Sequence, residues 1–475
     1  MGETTAAELA AVVGAHVVGD PDVVLSGLTH DSARVLAGSL FCCVVGARFD
    51  GHRFAADAVA GGAVALLVER QLPLDVTQLI VPNVRTSLGP VAAAFWGNPS
   101  EHDVTVVGVT GTNGKTTTVT LIGHLLEQLG VRCGIIGTLT GSRTTPEAPE
   151  LQAQLRAFAD AGTSVVAMEV SSHALALHRV DGTRFAVAVF TNIGVDHLDF
   201  HDTQERYFEA KARLFDERFT SHGLVNADDV HGRLLRDAAT IHIDTYSLGD
   251  LDDLVLGPTG SSFGWRGEQV RLPLVGRFNV SNALAAAETV VALGHAPADV
   301  AAALSTVEAP PGRFEVVDRG QPFPVIVDYA HTPDALANLL TTARELVAGG
   351  RLRVVFGCGG DRDRTKRPQM GAVASELADD VTLTSDNPRS EDPTAIIAAV
   401  KSGTTTPVDV EIDRRLAIEA VLAASGPGDV VVIAGKGHET TQIIGSDVIA
   451  FDDRAVAADW LTAHGPTSHG PASRG

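Results

Sequence analysis

The chain has 475 residues, 45% of them hydrophobic and 20% charged, with a formal net charge of −22. This is the composition of a globular protein of about three domains, on a prior of ~150 residues each. The acidity argues against general nucleic-acid binding, and the lack of any apolar run approaching ~18 residues predicts no membrane span. Small anionic ligands are not excluded, because they need only local positive groups.

The N-terminal stretch MGETTAAELAAVVGAHVVGD has acidic residues and no basic segment ahead of an apolar core, unlike a secretory signal. Cys42, Cys43, Cys133 and Cys358 lack metal-ligand spacing, which fits a reducing cytoplasm. Residues 1–100 mix short apolar runs (Leu40 to Val45, Val64 to Val68, Leu79 to Val81) with helical patterns and turns, predicting a small α/β domain. Asp31, Ser32, Arg34, Arg48 and Asp50 crowd its strand ends and, taken alone, read as polar side chains facing water. Pro99 and Ser100 read as a linker.

Residues 101–312 form the central segment, where apolar runs at Val104 to Val109, Val131 to Ile136, Val165 to Val170, Val187 to Phe190 and Leu224 to Val225 alternate with helical patterns. Such alternation predicts a mainly parallel sheet flanked by helices, with ligands at the carboxyl ends of its strands. VVGVTGTNGKTTT, Val106 to Thr118, reads as strand, glycine turn and helix start. Glycines let backbone N–H groups converge on phosphate oxygens, and the helix N-terminus adds positive potential. Lys115 would reach the β/γ-phosphates and the Thr116 hydroxyl would hold Mg²⁺. The strict spacing of such loops is not met, since Val109 stands five positions before Gly114 and Gly108 comes one residue early. A nucleoside triphosphate site is the expectation.

Two further clusters follow strands in this segment. Glu169 opens EVSSH, and His197 lies in TNIGVDHLD. Singly, either is an ordinary hydrogen-bonded residue; together, beside a phosphate loop, they suit a divalent cation. A helix beginning near Thr203 places Tyr207, Lys211 and Leu214 on one face. On spacing alone Lys211 is a solvated lysine paired with Glu205 or Glu209. Asn279 and Asn282 open an Ala-rich helix, as caps commonly do.

Pro310-Pro311-Gly312-Arg313 reads as a second hinge, after which residues 313–462 repeat a βαβα pattern with runs at Val325 to Asp328, Leu352 to Gly357, Val381 to Thr384 and Val430 to Ala434. This predicts a Rossmann-like unit. GCGGDRD lacks a full dinucleotide fingerprint, while DNPR and GKGHE follow strands and read locally as a turn and a loop. Residues 463–475, rich in Gly, Pro and Ser, read as a disordered tail.

Taken in order, DSARVLAGSLF, GTNGKTTT, MEVSSHAL, DHLDFH, YFEAKARLF, GRFNVSNALAA, PGRFE, VDYAHTPDAL, GCGGDRDRTKRPQM, DNPR and AGKGHE resemble the Mur ligases, the ATP-dependent amide-forming enzymes of peptidoglycan precursor synthesis. The match covers nearly the whole chain and is nearest to the diaminopimelate-adding members. The resemblance implies an α/β fold of three domains: a UDP-substrate-binding domain, a central ATP-binding domain with a P-loop and a mainly parallel sheet, and a C-terminal Rossmann-like amino-acid-binding domain.

It also implies roles. Thr110, Gly111, Thr112, Asn113, Gly114, Lys115, Thr116 and Thr117, with Asn282, Arg313 and Asp328, would bind ATP. Thr116, Glu169, His197 and a carbamylated Lys211 would hold Mg²⁺, and Lys115, Glu169, His197 and Lys211 would be catalytic. Ser32, Ala47, Arg48, Phe49, Thr144, Thr145, Ser171 and Arg179 would contact the UDP-N-acetylmuramoyl-dipeptide. Arg362, Asp386, Asn387, Pro388, Arg389, Gly435 and Glu439 would contact meso-diaminopimelate. Chemistry agrees at Arg389, because a guanidinium grips a distal carboxylate bidentately and lysine offers none. Closure about hinges near residues 100 and 312 would assemble these sites.

Two positions depart from the family pattern. Ala33 stands where an arginine usually follows Asp-Ser, and Leu177 replaces a glutamine before Arg179. One lost amide donor costs about 1 kcal/mol of binding. The competing readings are a paralogue that adds L-lysine or another amino acid, a folylpolyglutamate synthetase, and a nucleotide-binding module without turnover. DNPR and the N-terminal domain disfavour the first two; the joint presence of Glu169, His197 and Lys211 disfavours the third.

Overall fold

The computed structural model describes residues 4–46, 49–257 and 259–464. It is an α/β structure with three main sheets. The N-terminal sheet runs in the order His16–Val18, Thr77–Ile80, Ala63–Val68, Ser39–Cys42, Gly27–Thr29, parallel except for its first pair. Helix Ala6–Val13 begins with a capping box between Thr5 and Glu8 and stops at Gly14, φ 63°. Its Leu9 packs with Leu67, Leu79 and Val91 in one core.

The central sheet is wholly parallel, in the order His242–Tyr246, His222–Asn226, Val187–Phe190, Thr105–Thr110, Val165–Glu169, Cys133–Ile136. Val106, Val107, Val109 and Val166 to Met168 are fully buried, as β-branched and apolar runs covered on both faces must be. The crossovers bring the carboxyl ends of Thr105–Thr110 and Val165–Glu169 side by side. The third sheet sets Glu315–Val316 antiparallel to Val325–Asp328. Val430–Ala434, Leu352–Phe356, Asp380–Leu383 and Asp409–Val410 follow in parallel, between two apolar cores.

Every predicted apolar run forms a strand, but two features escaped the reading. The edge strand His242–Tyr246 has the polar sequence HIDTY. Asp252–Gly257, Gly260–Trp265 and Glu268–Leu272 form a separate antiparallel sheet inside what reads as the central segment. Arg266 and Gly267, at φ 50° and 85°, make the tight turn between its last two strands.

The chain groups into two compact units. The first holds Met1–Ile193, Glu205–Asp250 and Asn282–Ala303; the second holds Gly194–Gln204, Leu251–Ser281 and Leu304–Gly475. Near residue 100, where a joint is expected, Pro99–His102 is a short helix. Residues 463 and 464 end the helix Asp453–His464 rather than opening a tail, and the remainder of the expected tail lies outside the described residues.

Candidate active site

In the first unit the strand Thr105–Thr110 feeds the helix Lys115–Gln128 through a turn whose shape depends on two glycines. Gly111 has φ 152° and Gly114, the residue before the helix, has φ 87°. A Cβ on Gly114 would collide with Asn282 Oδ1. The turn is also braced from outside: Thr191 Oγ1 donates to the Asn113 carbonyl at 2.6 Å, and Asn192 Oδ1 accepts from the Asn113 N–H at 3.0 Å. Gly114→Ala should therefore cost about 1–2 kcal/mol in backbone strain alone and displace Asn282. The expected result is at least tenfold weaker ATP binding by calorimetry, with the thermal midpoint lowered by only about a few degrees.

Two lysines converge on one carbonyl of this turn. Lys115 Nζ donates to the carbonyls of Gly111 and Thr112 at 2.9 and 2.8 Å, and Lys211 Nζ donates to Gly111 at 2.7 Å. Lys211 comes from the helix Gln204–Ala212 and is 1% exposed, with its ammonium 4.4 Å from the centre of the Tyr207 ring. The solvated-lysine reading therefore fails: the apolar side of this helix packs inward and carries Lys211 with Tyr207, whose hydroxyl lies 3.1 Å from Thr112 Oγ1.

Glu169, at the carboxyl end of its strand, is buried. Its carboxylate accepts from Thr116 Oγ1 at 3.0 Å, from the Thr138 N–H at 2.8 Å and from Thr138 Oγ1 at 3.3 Å. A carboxylate and two hydroxyls beside a phosphate-type turn are the hard oxygen donors that Mg²⁺ prefers. His197 belongs to the second unit; it has φ 57° and its Nε2 lies 3.4 Å from Asp196 Oδ2. Burial works against charge on Asp196, but His197, His331 and Lys366 hold its carboxyl below the ordinary range.

Thr144, Thr145, Ser171 and Arg179 lie beside this cluster in the first unit. Thr144 Oγ1 is 3.1 Å from Thr138 Oγ1, and Thr145 Oγ1 donates to the Glu169 carbonyl at 2.9 Å. Ser171 caps the helix Ser172–Ala176. Arg179 Nε stands 2.9 Å from Glu147 Oε1, whose other oxygen accepts from Arg85 Nη1 at 2.8 Å. Ser32 opens a turn of 3₁₀ helix capped by Asp31, and Phe49 is exposed. Ala47 and Arg48 lie outside the described residues.

The second unit gathers the other predicted residues at the carboxyl ends of its parallel strands. Asp328 accepts from the N–H groups of Phe314 and Ala330, each at 2.7 Å, and the Arg313 guanidinium lies 4.6 Å from the centre of the Tyr329 ring. Burial pushes the Asp328 carboxyl up against the pull of Arg313. Asp386, Asn387 and Pro388 are buried, while Arg389, at φ 52°, donates from Nη1 to the Gly360 carbonyl at 2.7 Å. Asn387 Nδ2 donates to Glu439 Oε2 at 2.7 Å. Gly435 has φ 112°, and Arg362 is exposed near Gly359.

One residue here was not singled out in the sequence. Lys436 is 0% exposed and donates from Nζ to Asn387 Oδ1 (3.2 Å), Glu439 Oε2 (3.1 Å) and the Thr441 carbonyl (2.6 Å). Its Nζ lies 3.7 Å from Asp386 Oδ1, a buried oxygen with no hydrogen-bond partner among the described residues. Burial pushes the Asp386 carboxyl up, against the pull of Arg414 and Lys436. The signal was its place inside GKGHE, three residues from Glu439. Lys436→Met should destabilise the chain by about 3 kcal/mol, because it leaves Glu439 and Asn387 without their shared cation. If Lys436 positions these groups, KM for the amino acid should rise tenfold or more while KM for ATP stays within twofold. An equal rise in both would reduce it to a structural role.

Three family models match: residues 24–95 the Mur ligase family catalytic domain, 109–290 the Mur ligase middle domain, and 312–437 the Mur ligase glutamate ligase domain. The UDP-N-acetylmuramoyl-L-alanyl-D-glutamate--2,6-diaminopimelate ligase of Geobacillus kaustophilus is 46% identical over 93% of this chain and 95% of its own length. A solved structure of a ligase of the same name is 34% identical, with TM-score 0.70 over 97% of this chain and 99% of the other. The fold extends to the MurF ligase of Thermotoga maritima, solved with ADP, at 20% identity and TM-score 0.62 over 92% and 96% of the two chains. With family models matched in all three regions and a relative this similar along nearly the full length of both chains, the chain belongs to the Mur ligase family.

Proposed function

We propose that the chain is the ATP-dependent ligase that joins meso-diaminopimelate to the D-glutamate of UDP-N-acetylmuramoyl-L-alanyl-D-glutamate in peptidoglycan precursor synthesis, and that it works in the cytoplasm. The observation that carries the amino-acid assignment is the cluster of Arg389, Asn387, Glu439 and the orphaned Asp386 oxygen at one set of strand ends. It offers a guanidinium for one carboxylate and acceptors for an ammonium group, which matches the distal end of diaminopimelate, where a carboxylate stands beside an ammonium and L-lysine has only the ammonium.

The working regions are 1–100 for the UDP-substrate, 101–312 for ATP and 313–462 for diaminopimelate. The turn from Thr110 to Thr117 cradles the ATP phosphates, and Asn282, Arg313 and Asp328 hold the nucleoside. Lys115 leaves its backbone partners to spread the charge that develops as the γ-phosphoryl passes to the D-glutamate γ-carboxylate. Thr116, Glu169, His197 and Lys211 as its carbamate are the proposed donors for Mg²⁺, which when bound neutralises phosphoryl oxygens. Ser32, Ala47, Arg48 and Phe49 take the uridine side; Thr144, Thr145, Ser171 and Arg179 take the muramoyl-dipeptide. The diaminopimelate amine, oriented by Arg389 and Glu439, attacks the acyl phosphate; the tetrahedral adduct then expels phosphate and the amide remains.

The test is phosphate release from ATP with the UDP-dipeptide, comparing meso-diaminopimelate with L-lysine. Release at least ~10²-fold faster with diaminopimelate, on the kcat/KM scale, is expected from loss of one charge-assisted pair. Release with lysine alone would reassign the substrate, and release with neither would withdraw the ligase reading.

A further inference from the structure

A second cluster of ligating side chains lies in the first unit, at the other end of the central sheet from the phosphate turn. His222 opens the strand His222–Asn226, and His242 opens the edge strand His242–Tyr246. The two strands are parallel, with His222 opposite His242 and Leu224 opposite Asp244. Both histidines therefore stand at the amino ends of strands, whereas Thr110 and Glu169 stand at carboxyl ends of the same sheet.

Register makes the cluster. Two residues apart on one strand, His242 and Asp244 share a face. The Asp244 carboxylate lies between the two imidazoles: Oδ2 is 2.8 Å from His222 Nε2 and Oδ1 is 3.2 Å from His242 Nε2. The ring centroids are 5.1 Å apart. One nitrogen from each ring and one carboxylate oxygen all fall within 4.8 Å of one another. Four ligands at ~2.0–2.1 Å from a tetrahedral ion sit ~3.3 Å apart, so each imidazole already lies near that distance from a carboxylate oxygen, and small side-chain rotations would bring the three donors, now within 4.8 Å, onto one ion. The backbone at His222 is fixed as well, because Thr220 Oγ1 accepts from its N–H at 3.1 Å and donates to its carbonyl at 3.0 Å. His242 and Asp244 are exposed, which gives an ion an entry path and leaves the fourth position to water.

We propose that His222, His242 and Asp244 form a surface site for a borderline divalent transition-metal ion, best suited to Zn²⁺. Two imidazoles and one carboxylate select such ions over Mg²⁺, which prefers oxygen ligands in an octahedron. The ion would clip the polar edge strand to its neighbour, and the apolar surface under that strand would gain most of the benefit.

The test uses the full chain, stripped with a chelator and titrated with Zn²⁺ by calorimetry under excess Mg²⁺. One equivalent should bind, with a higher thermal midpoint, and Co²⁺ substituted in the same site should give the visible absorption of a low-coordinate nitrogen–oxygen site. His242→Ala, at an exposed position that should fold normally, should weaken Zn²⁺ at least tenfold and abolish the midpoint shift; Asp244→Asn should do the same. No saturable Zn²⁺ binding, or binding unchanged in both variants, would overturn the proposal. Ligase turnover does not enter the test, so the two readings fail independently.

Discussion

Lys211→Ala should lower kcat for amino-acid-dependent phosphate release by ~10³-fold or more, the scale of losing a group that stabilises charge only in the transition state. The lysine is 1% exposed, so its charge is held in place by the Gly111 carbonyl and the Tyr207 ring rather than by bulk water. In the proposed carbamate, the amine as its free base adds CO₂, releases a proton and supplies two oxygen donors in place of the cation. Lys211→Arg separates the two possible roles. It keeps the cation but cannot form the carbamate at an ordinary nitrogen pKa, so it should be as inactive as the alanine variant. ATP binding should survive in both, because the turn and Lys115 are intact. An active Lys211→Arg enzyme would show that the cation itself is what matters, and the carbamate would be withdrawn.

Arg389→Ala should raise KM for diaminopimelate by ~10²–10³-fold, from about 3–4 kcal/mol of charge-assisted hydrogen bonding. The residue is held at φ 52° by its neighbours: its N–H donates to Ile443 at 3.1 Å and its carbonyl accepts from Gly445 at 2.7 Å. Its side chain is therefore presented from a fixed backbone. L-lysine, which has no distal carboxylate, should be used about as poorly as before, so discrimination should collapse while KM for ATP stays put. Arg389→Lys keeps the charge without the fork and should fall between. If instead KM for the UDP-dipeptide moved and that for diaminopimelate did not, the cluster would belong to the other substrate.

How much of this was legible depends on whether the information was local. The buried strands announced themselves as runs of Val, Ile and Leu, and the phosphate turn as glycines between a strand and a helix. The edge strand His242–Tyr246 carried no such run, since only its Tyr246 is buried. The extra three-stranded sheet alternates too weakly to stand out, apart from its Arg266-Gly267 turn. Lys211 shows the limit most clearly: its spacing to Glu205 and Glu209 described a surface helix, and only tertiary packing places it under the turn. Partnerships across long separations were equally hidden. Arg414 and Asp453, both fully buried, pair at 2.7 Å across the chain, and Arg414 also binds the carbonyls of Ser385 and Ala434. That pair steadies the two strand ends that lead into DNPR and GKGHE, and no motif in the sequence points to it.

The grouping of residues 1–193 into one compact unit bears on inhibitor design. Glu147 ties Arg85, on a helix of the N-terminal region, to Arg179 beside the phosphate turn. Under the proposed roles, Ser32 and Phe49 would meet the uridine end of the UDP-dipeptide while Lys115 would meet the phosphoryl group passing to its other end, so both ends would be met within one compact unit. A compound that joins a uridine to a phosphate mimic through a stiff spacer of the right length should then gain nearly the full chelate advantage, since the ordering cost is met in its synthesis. A flexible spacer of the same reach should bind more weakly for the opposite reason.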